Sequence, residues 1–141
     1  MRIFDWLFGK KESNPKPKKE TTSKSKINDL VKYYYDNFQL QSEGNLKDDK
    51  KYGLWKFYHE NGQLKNEGDY KTGKQHGFNN LYYENGQLKN EGDFKHGKPD
   101  GIWKTYYENG QLKNEINTDN GEVISQKCFD ENGNETECEK E

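Results

Sequence analysis

Through the middle of the chain, apolar and charged positions alternate with a period of two, and the alternation doubles back at Asn-Gly pairs. Between residues 54 and 70 one side of the pattern carries Trp55, Phe57, His59, Leu64, Gly68 and Tyr70. The other carries Leu54, Lys56, Tyr58, Lys65, Glu67 and Asp69. That period predicts strands with one apolar and one polar face, and Asn-Gly between two strands is a strong hairpin signal. With Asn61-Gly62 as a two-residue reversal, Glu60 faces Gln63, His59 faces Leu64, Tyr58 faces Lys65 and Phe57 faces Asn66. Further out, Lys56 faces Glu67, Trp55 faces Gly68 and Leu54 faces Asp69. The glycine opposite Trp55 leaves room for the indole to lie across the strand. The Lys56–Glu67 pair contributes about 0.2–1 kcal/mol.

The same pattern returns every 24 residues. FYHENGQLKNEGDYKTGKQHG begins at Phe57, LYYENGQLKNEGDFKHGKPDG at Leu81 and TYYENGQLKNEIN at Thr105. Gly53, Gly77 and Gly101 are spaced alike, as are Leu64, Leu88 and Leu112; Ile116 stands where Gly68 and Gly92 stand in the earlier copies. A degenerate copy precedes, with Asn37-Phe38 at its turn and an apolar set of Val31, Tyr33, Tyr35, Leu40, Gly44 and Leu46. Another follows from Cys128, one residue short of the period. Atypical end units are expected where a repeat stack must be capped against water. The apolar set persists in every copy, with Asn79 as a weak spot, and a one-residue slip would exchange the faces. The expected fold is therefore all-β: an elongated antiparallel meander of tandem 24-residue hairpins spanning residues 27–137, in units 27–50, 51–74, 75–98, 99–122 and 123–137, before an acidic tail at 138–141. Each hairpin adds about 10 Å along the stack. One sheet leaves its apolar face partly open, so twist, aromatic rows or a partner must cover it.

The segments GDYKTGKQHG (Gly68 to Gly77) and GDFKHGKPDG (Gly92 to Gly101) resemble the MORN repeat. The YYENGQLKNEG segments between them are similar to the bacterial MORN variant of YwqK-family antitoxins. The resemblance implies an extended antiparallel sheet, dimer formation, partner scaffolding and, in some relatives, lipid binding. Phe38, Asn79, Ile116 and the short last unit depart from the pattern.

Composition alters this picture in three ways. Only 28% of residues are hydrophobic and 34% are charged, which alone would favour disorder. Aromatics reach 14% and recur at fixed spacing, so the core material is distributed along a stack. The net charge of −2 divides unevenly: residues 1–26 hold eight Lys/Arg against three acids, and residues 117–141 hold eight acids against two Lys. No basic field covers the repeats, so nucleic acid is not an expected ligand. Cys128 and Cys138 match no metal or redox motif, and a final turn at Asn132-Gly133 would set them on opposite faces. No disulfide is expected, which points to a reducing compartment. The expected location is the cytoplasm, or the inner membrane face.

Catalysis needs unlike groups that converge, whereas here polar groups recur as rows of like residues. His59, His76 and His96 have neither paired spacing nor an acidic ligand cluster, and Glu60, Glu84 and Glu108 merely flank turns. The chain reads as non-enzymatic, with no cofactor and no metal. The binding candidate is the polar face, where Tyr58, Tyr82 and Tyr106 form a ladder beside Lys65, Lys89 and Lys113; tyrosine suits an interface because it offers area and a hydrogen bond at low entropy cost. The expected partner is a protein, on the resemblance a toxin, and a second copy of the chain is an alternative.

The N-terminus differs in kind. In residues 1–9, Ile3, Phe4, Leu7 and Phe8 share one helical stripe with Trp6 beside it. Such a short amphipathic helix would suit an anionic membrane surface, a groove on a protein, or the repeat sheet itself. Residues 10–26 read as a flexible basic linker. A tether that binds anionic lipid through this end is the second functional expectation.

Overall fold

The computed structural model describes residues 18–21 and 29–139. Within them every regular element is a strand, and 11 strands form a single antiparallel sheet in sequential order. They are β1 (Lys18–Thr21), β2 (Asp29–Tyr34), β3 (Leu40–Lys47), β4 (Lys50–Tyr58), β5 (Leu64–Lys71), β6 (Lys74–Tyr82), β7 (Leu88–Lys95), β8 (Lys98–Tyr106), β9 (Leu112–Asp119), β10 (Glu122–Phe129) and β11 (Glu135–Thr136). The meander is as expected. The anchor residues Ile3, Phe4, Trp6, Leu7 and Phe8 lie outside the described residues, as does most of the linker. Inside that linker, Lys18–Thr21 adds an edge strand to β2, with Glu20 opposite Lys32.

The turns differ from the two-residue reversal. His59 O accepts from Gly62 N at 2.9 Å, and His59 N donates to Gln63 O at 2.8 Å. The corner is therefore Glu60-Asn61, with Gly62 behind it at φ +86°. This is a three-residue loop, a type I turn closed by a glycine bulge. It needs positive φ only at the glycine and leaves Asn61 Oδ1 to accept from Gln63 N at 2.9 Å, an Asx turn. Asn85 and Asn109 repeat the arrangement. In the first copy Phe38 takes the glycine's place, at φ 65°.

The longer loop shifts the pairing near each turn. Tyr58 faces Leu64 rather than Lys65, and β5 then carries one extra residue, so that Phe57 faces Asn66 again. The two irregularities cancel, and the expected register holds from Phe57 to Leu54. A second kink recurs where Gly53, Gly77 and Gly101 take positive φ. At the first of these the register jumps from Gly44↔Trp55 to Asn45↔Tyr52.

One face is sealed by tryptophan on glycine. Trp55 and Trp103 are each 1% exposed. Trp55 pairs with both Gly44 and Gly68, but its indole lies over Gly44: a Cβ there would sit 2.4 Å from the ring. Trp103 covers Gly92 in the same way, at 2.3 Å. Indole Nε1 atoms donate to Asn45 O at 2.9 Å and Asp93 O at 3.1 Å. Because each indole leans toward the preceding strand, the strand after it is free to vary. Ile116 therefore fits opposite Trp103 and packs with Phe94, whose ring meets the indole edge-on at 4.9 Å. Asn79 fills the tryptophan position of the middle hairpin. It is fully buried, accepts from Asn66 Nδ2 at 3.2 Å, and leaves its own Nδ2 without a partner. Past the Gly53 kink, Lys51 sets its ammonium 4.6–5.1 Å from the rings of Trp55, Phe57 and Tyr70, and burial lowers its pKa.

Cys128 and Cys138 form a disulfide, Cα to Cα 5.3 Å, contrary to the sequence expectation. Strand alternation ends at Thr136, which pairs with Cys128. Beyond it the backbone leaves the ladder, and Cys138 is free to swing back to its partner. The bridge removes the cysteine argument for a reducing compartment.

Two predictions follow from the packing. Gly92→Ala drives a methyl into the Trp103 ring and lowers stability by about 1–3 kcal/mol in denaturant unfolding; combined with Trp103→Val, the penalty of the alanine largely disappears. Reducing the disulfide removes about 2–3 kcal/mol of local constraint. Hydrogen exchange then accelerates in β10 and β11 and stays unchanged in β4 to β8, because each hairpin touches only its neighbours.

Candidate functional site

On the opposite face, strand pairing draws one residue from each of β2 to β10 into a charge row. It runs Lys32, Glu43, Lys56, Glu67, Asn80, Glu91, Lys104, Glu115, Lys127. Lys32 Nζ lies 3.2 Å from Glu43. One pair of this row, Lys56–Glu67, is legible in the sequence of a single hairpin; the pairings between hairpins join such pairs into a line.

The tyrosine ladder lies alongside. Tyr58, Tyr82 and Tyr106 donate to Glu43, Glu67 and Glu91 at 2.8, 2.8 and 2.5 Å. Each bond ties a hairpin to the one before it. Burial, then the glutamate hydrogen bond and its charge, push Tyr58 and Tyr106 up to about 12; Tyr82 is raised for the same reasons. Burial alone would raise Glu43, but hydrogen bonds from Tyr58 and Lys32 and the charges of Lys32 and Lys56 bring it below the ordinary value.

The lysines of the expected ladder do not join these tyrosines. Tyr82 and Tyr106 face Leu88 and Leu112, as Tyr58 faces Leu64, because of the shift at each turn. Lys89 lies 5.4 Å from the Tyr83 ring and Lys113 5.5 Å from the Tyr107 ring, while Lys65 is exposed. Tyr35, Tyr83 and Tyr107 send their hydroxyls to Tyr58 O, Tyr106 O and Phe129 O at 2.7, 2.7 and 2.9 Å. His59 occupies the same row, with Nε2 3.1 Å from Tyr82 O. This row fastens the turn ends of successive hairpins, a task that spacing alone did not reveal. The rings of His76 and His96 meet at a tilt of 54°, with centroids 5.5 Å apart. Among the described residues no group of three or more His, Cys, Asp or Glu could hold a metal.

A further row was missed. Leu30, Leu54, Phe78 and Ile102 are exposed, the last at 54%, and stand one repeat apart on the charged face. The 24-residue spacing was available in the sequence, but membership of a polar face concealed it. Between Phe78 and Ile102 runs an open groove of about 300 Å³ floored by Glu91, Asp93, Lys104 and Glu115. A second cleft, about 390 Å³, lies at the C-terminal end of the sheet between Tyr107, Ile116, Phe129 and the disulfide.

The phenols titrate with a defined sign. A folded pKa above the unfolded value of about 10 means that their contribution to stability is complete below that value and disappears as pH rises through about 12. An alkaline titration at 295 nm should show a late phenolate step near pH 12, reduced in Tyr58→Phe and again in Tyr106→Phe.

Comparison with curated proteins yields no match. One similar solved structure is a mutant of S. aureus TarM in complex with Fondaparinux, alpha-GlcNAc-glycerol and UDP: identity is 12% and the TM-score 0.46, over 74% of this chain and 20% of that one. Residues 51–72, 80–96 and 99–120 match the MORN repeat variant family, three stretches that fall on the hairpins β4–β5, β6–β7 and β8–β9.

Proposed function

We propose that this chain is a non-enzymatic scaffold whose charged face binds a protein partner. One observation carries the reading: exposed Leu54, Phe78 and Ile102 recur at one-hairpin spacing on a face whose other groups are held in register. A periodic row of apolar side chains in a polar setting is the form an interaction surface takes. The tyrosine hydroxyls are engaged with glutamates, so they hold the face rigid and offer ring area. MORN repeats are often protein- or membrane-binding modules, which supports this use. The resemblance to YwqK-family antitoxins supports a toxin as the partner, neutralised by being held on this surface.

The test is affinity capture and crosslinking with the full chain against Leu54→Ser with Ile102→Ser. Both sites are exposed, so the double variant should keep the parental melting temperature and lose the crosslinked partner. An unchanged crosslinking profile at unchanged stability rejects the charged face as the binding surface.

A further inference from the structure

The charge row has one break. Glu43 lies between Lys32 and Lys56, and Glu115 between Lys104 and Lys127. Glu67 and Glu91 each have a lysine on one side only, because Asn80 separates them. Two residues along the strands, Asp69 faces Leu54 and Asp93 faces Phe78, where the outer hairpins have Asn45 and Asn117. The centre of the face thus has four carboxylates against Lys56 and Lys104, and Phe78 stands among them, 37% exposed. Glu67 and Glu91 each accept from a neutral tyrosine hydroxyl, a contact that brings no positive charge to them.

Resting on the scaffold reading above, we propose that the partner is a polypeptide that lays lysine or arginine side chains into the gaps of the apolar row. The groove between Phe78 and Ile102 has the shape for one such side chain. Its aliphatic stem would lie between the two apolar residues, as long cationic side chains do on apolar surfaces, and its head would reach Glu91 and Asp93 on a floor where three carboxylates, with Glu115, outnumber Lys104. The preceding gap, between Leu54 and Phe78, offers Glu67 and Asp69 at the corresponding positions. Adjacent gaps are about 10 Å apart. Two basic residues separated by two others in a polyproline II segment, which has three residues per turn, share one side and span about 9 Å at about 3.1 Å per residue. A cation at Asn80 would complete the alternation found at both ends of the row. Acidic segments are excluded by the same charges, so the face selects the sign of its partner as well as its apolarity.

The probe is a pair of labelled synthetic peptides with a shared apolar scaffold, carrying lysines at i and i+3 or glutamates there, titrated into the full chain at low and moderate salt. The lysine peptide should bind at least tenfold more tightly than the glutamate peptide, and less tightly as salt rises. Asn80→Lys sets the chain's own ammonium between Glu67 and Glu91; it should weaken the lysine peptide at least tenfold with no loss of thermal stability. Phe78→Ser should weaken it as well, which separates stem packing from charge alone. Equal affinity of the two peptides, or an Asn80→Lys variant that binds as the parent does, overturns the proposal. If that happens while Leu54→Ser with Ile102→Ser still loses its crosslinked partner, the scaffold reading stands and only the partner's chemistry is wrong. If the crosslinked partner is also retained, both fail together.

Discussion

A single-layer sheet has no second layer to hide its apolar face, and this chain meets the problem with indole laid over glycine. Trp55 and Trp103 leave almost no surface to water because Gly44 and Gly92 lack a Cβ and let each ring lie flat across the neighbouring strand. The indole N–H then reaches a backbone carbonyl of that strand, so the packing contact is also a hydrogen bond between strands. Burial of an aromatic ring is among the larger stabilising contributions available to a small domain. The rest of the architecture depends on this contact. Without it the sheet would have an open hydrophobic side around Trp55 and Trp103, whereas the middle hairpin, with Asn79 at that position, keeps the same kink at Gly77.

Successive hairpins are joined in two further ways, and both recur at the repeat spacing. At the turn ends, Tyr35, His59, Tyr83 and Tyr107 contact backbone carbonyls of the next hairpin. On the charged face, Tyr58, Tyr82 and Tyr106 reach back to glutamates of the hairpin before. Contacts run to nearest neighbours throughout, which makes stability a sum of local interfaces. The disulfide closes the last unit, where a two-residue strand has little else to hold it.

The middle hairpin differs on both faces at once. Where its neighbours read Trp-Lys, it reads Asn79-Asn80. On the inner side this exchanges an indole for a buried amide with an unpartnered Nδ2. On the outer side it removes a cation from between two glutamates. The first change weakens the core, since a buried polar group without a hydrogen bond is unfavourable. The second makes the centre of the charged face electrostatically distinct from its ends.

The chain's alternation, its 24-residue period and its Asn-Gly pairs determined by themselves that it would be a meander of hairpins, which residues share a face, and that Trp55 would stand opposite glycine. These are local matters, set by the two-residue period of a strand and by where the backbone can take positive φ. Asn79 and Ile116 were visible in advance as departures, although not what would accommodate them. The tertiary structure alone decided which way each indole leans, because Trp55 has a glycine on either side and the sequence does not choose between them. It decided that Glu60-Asn61 forms the corner, since both turn types suit Asn-Gly and differ only in backbone closure. It also decided the tyrosine–glutamate bonds, the charge row and the disulfide, all of which join residues through pairings between hairpins or beyond the last strand. Those pairings depend on bulges that shift register by a residue or two, and a side-chain pattern of period two carries no record of the shift.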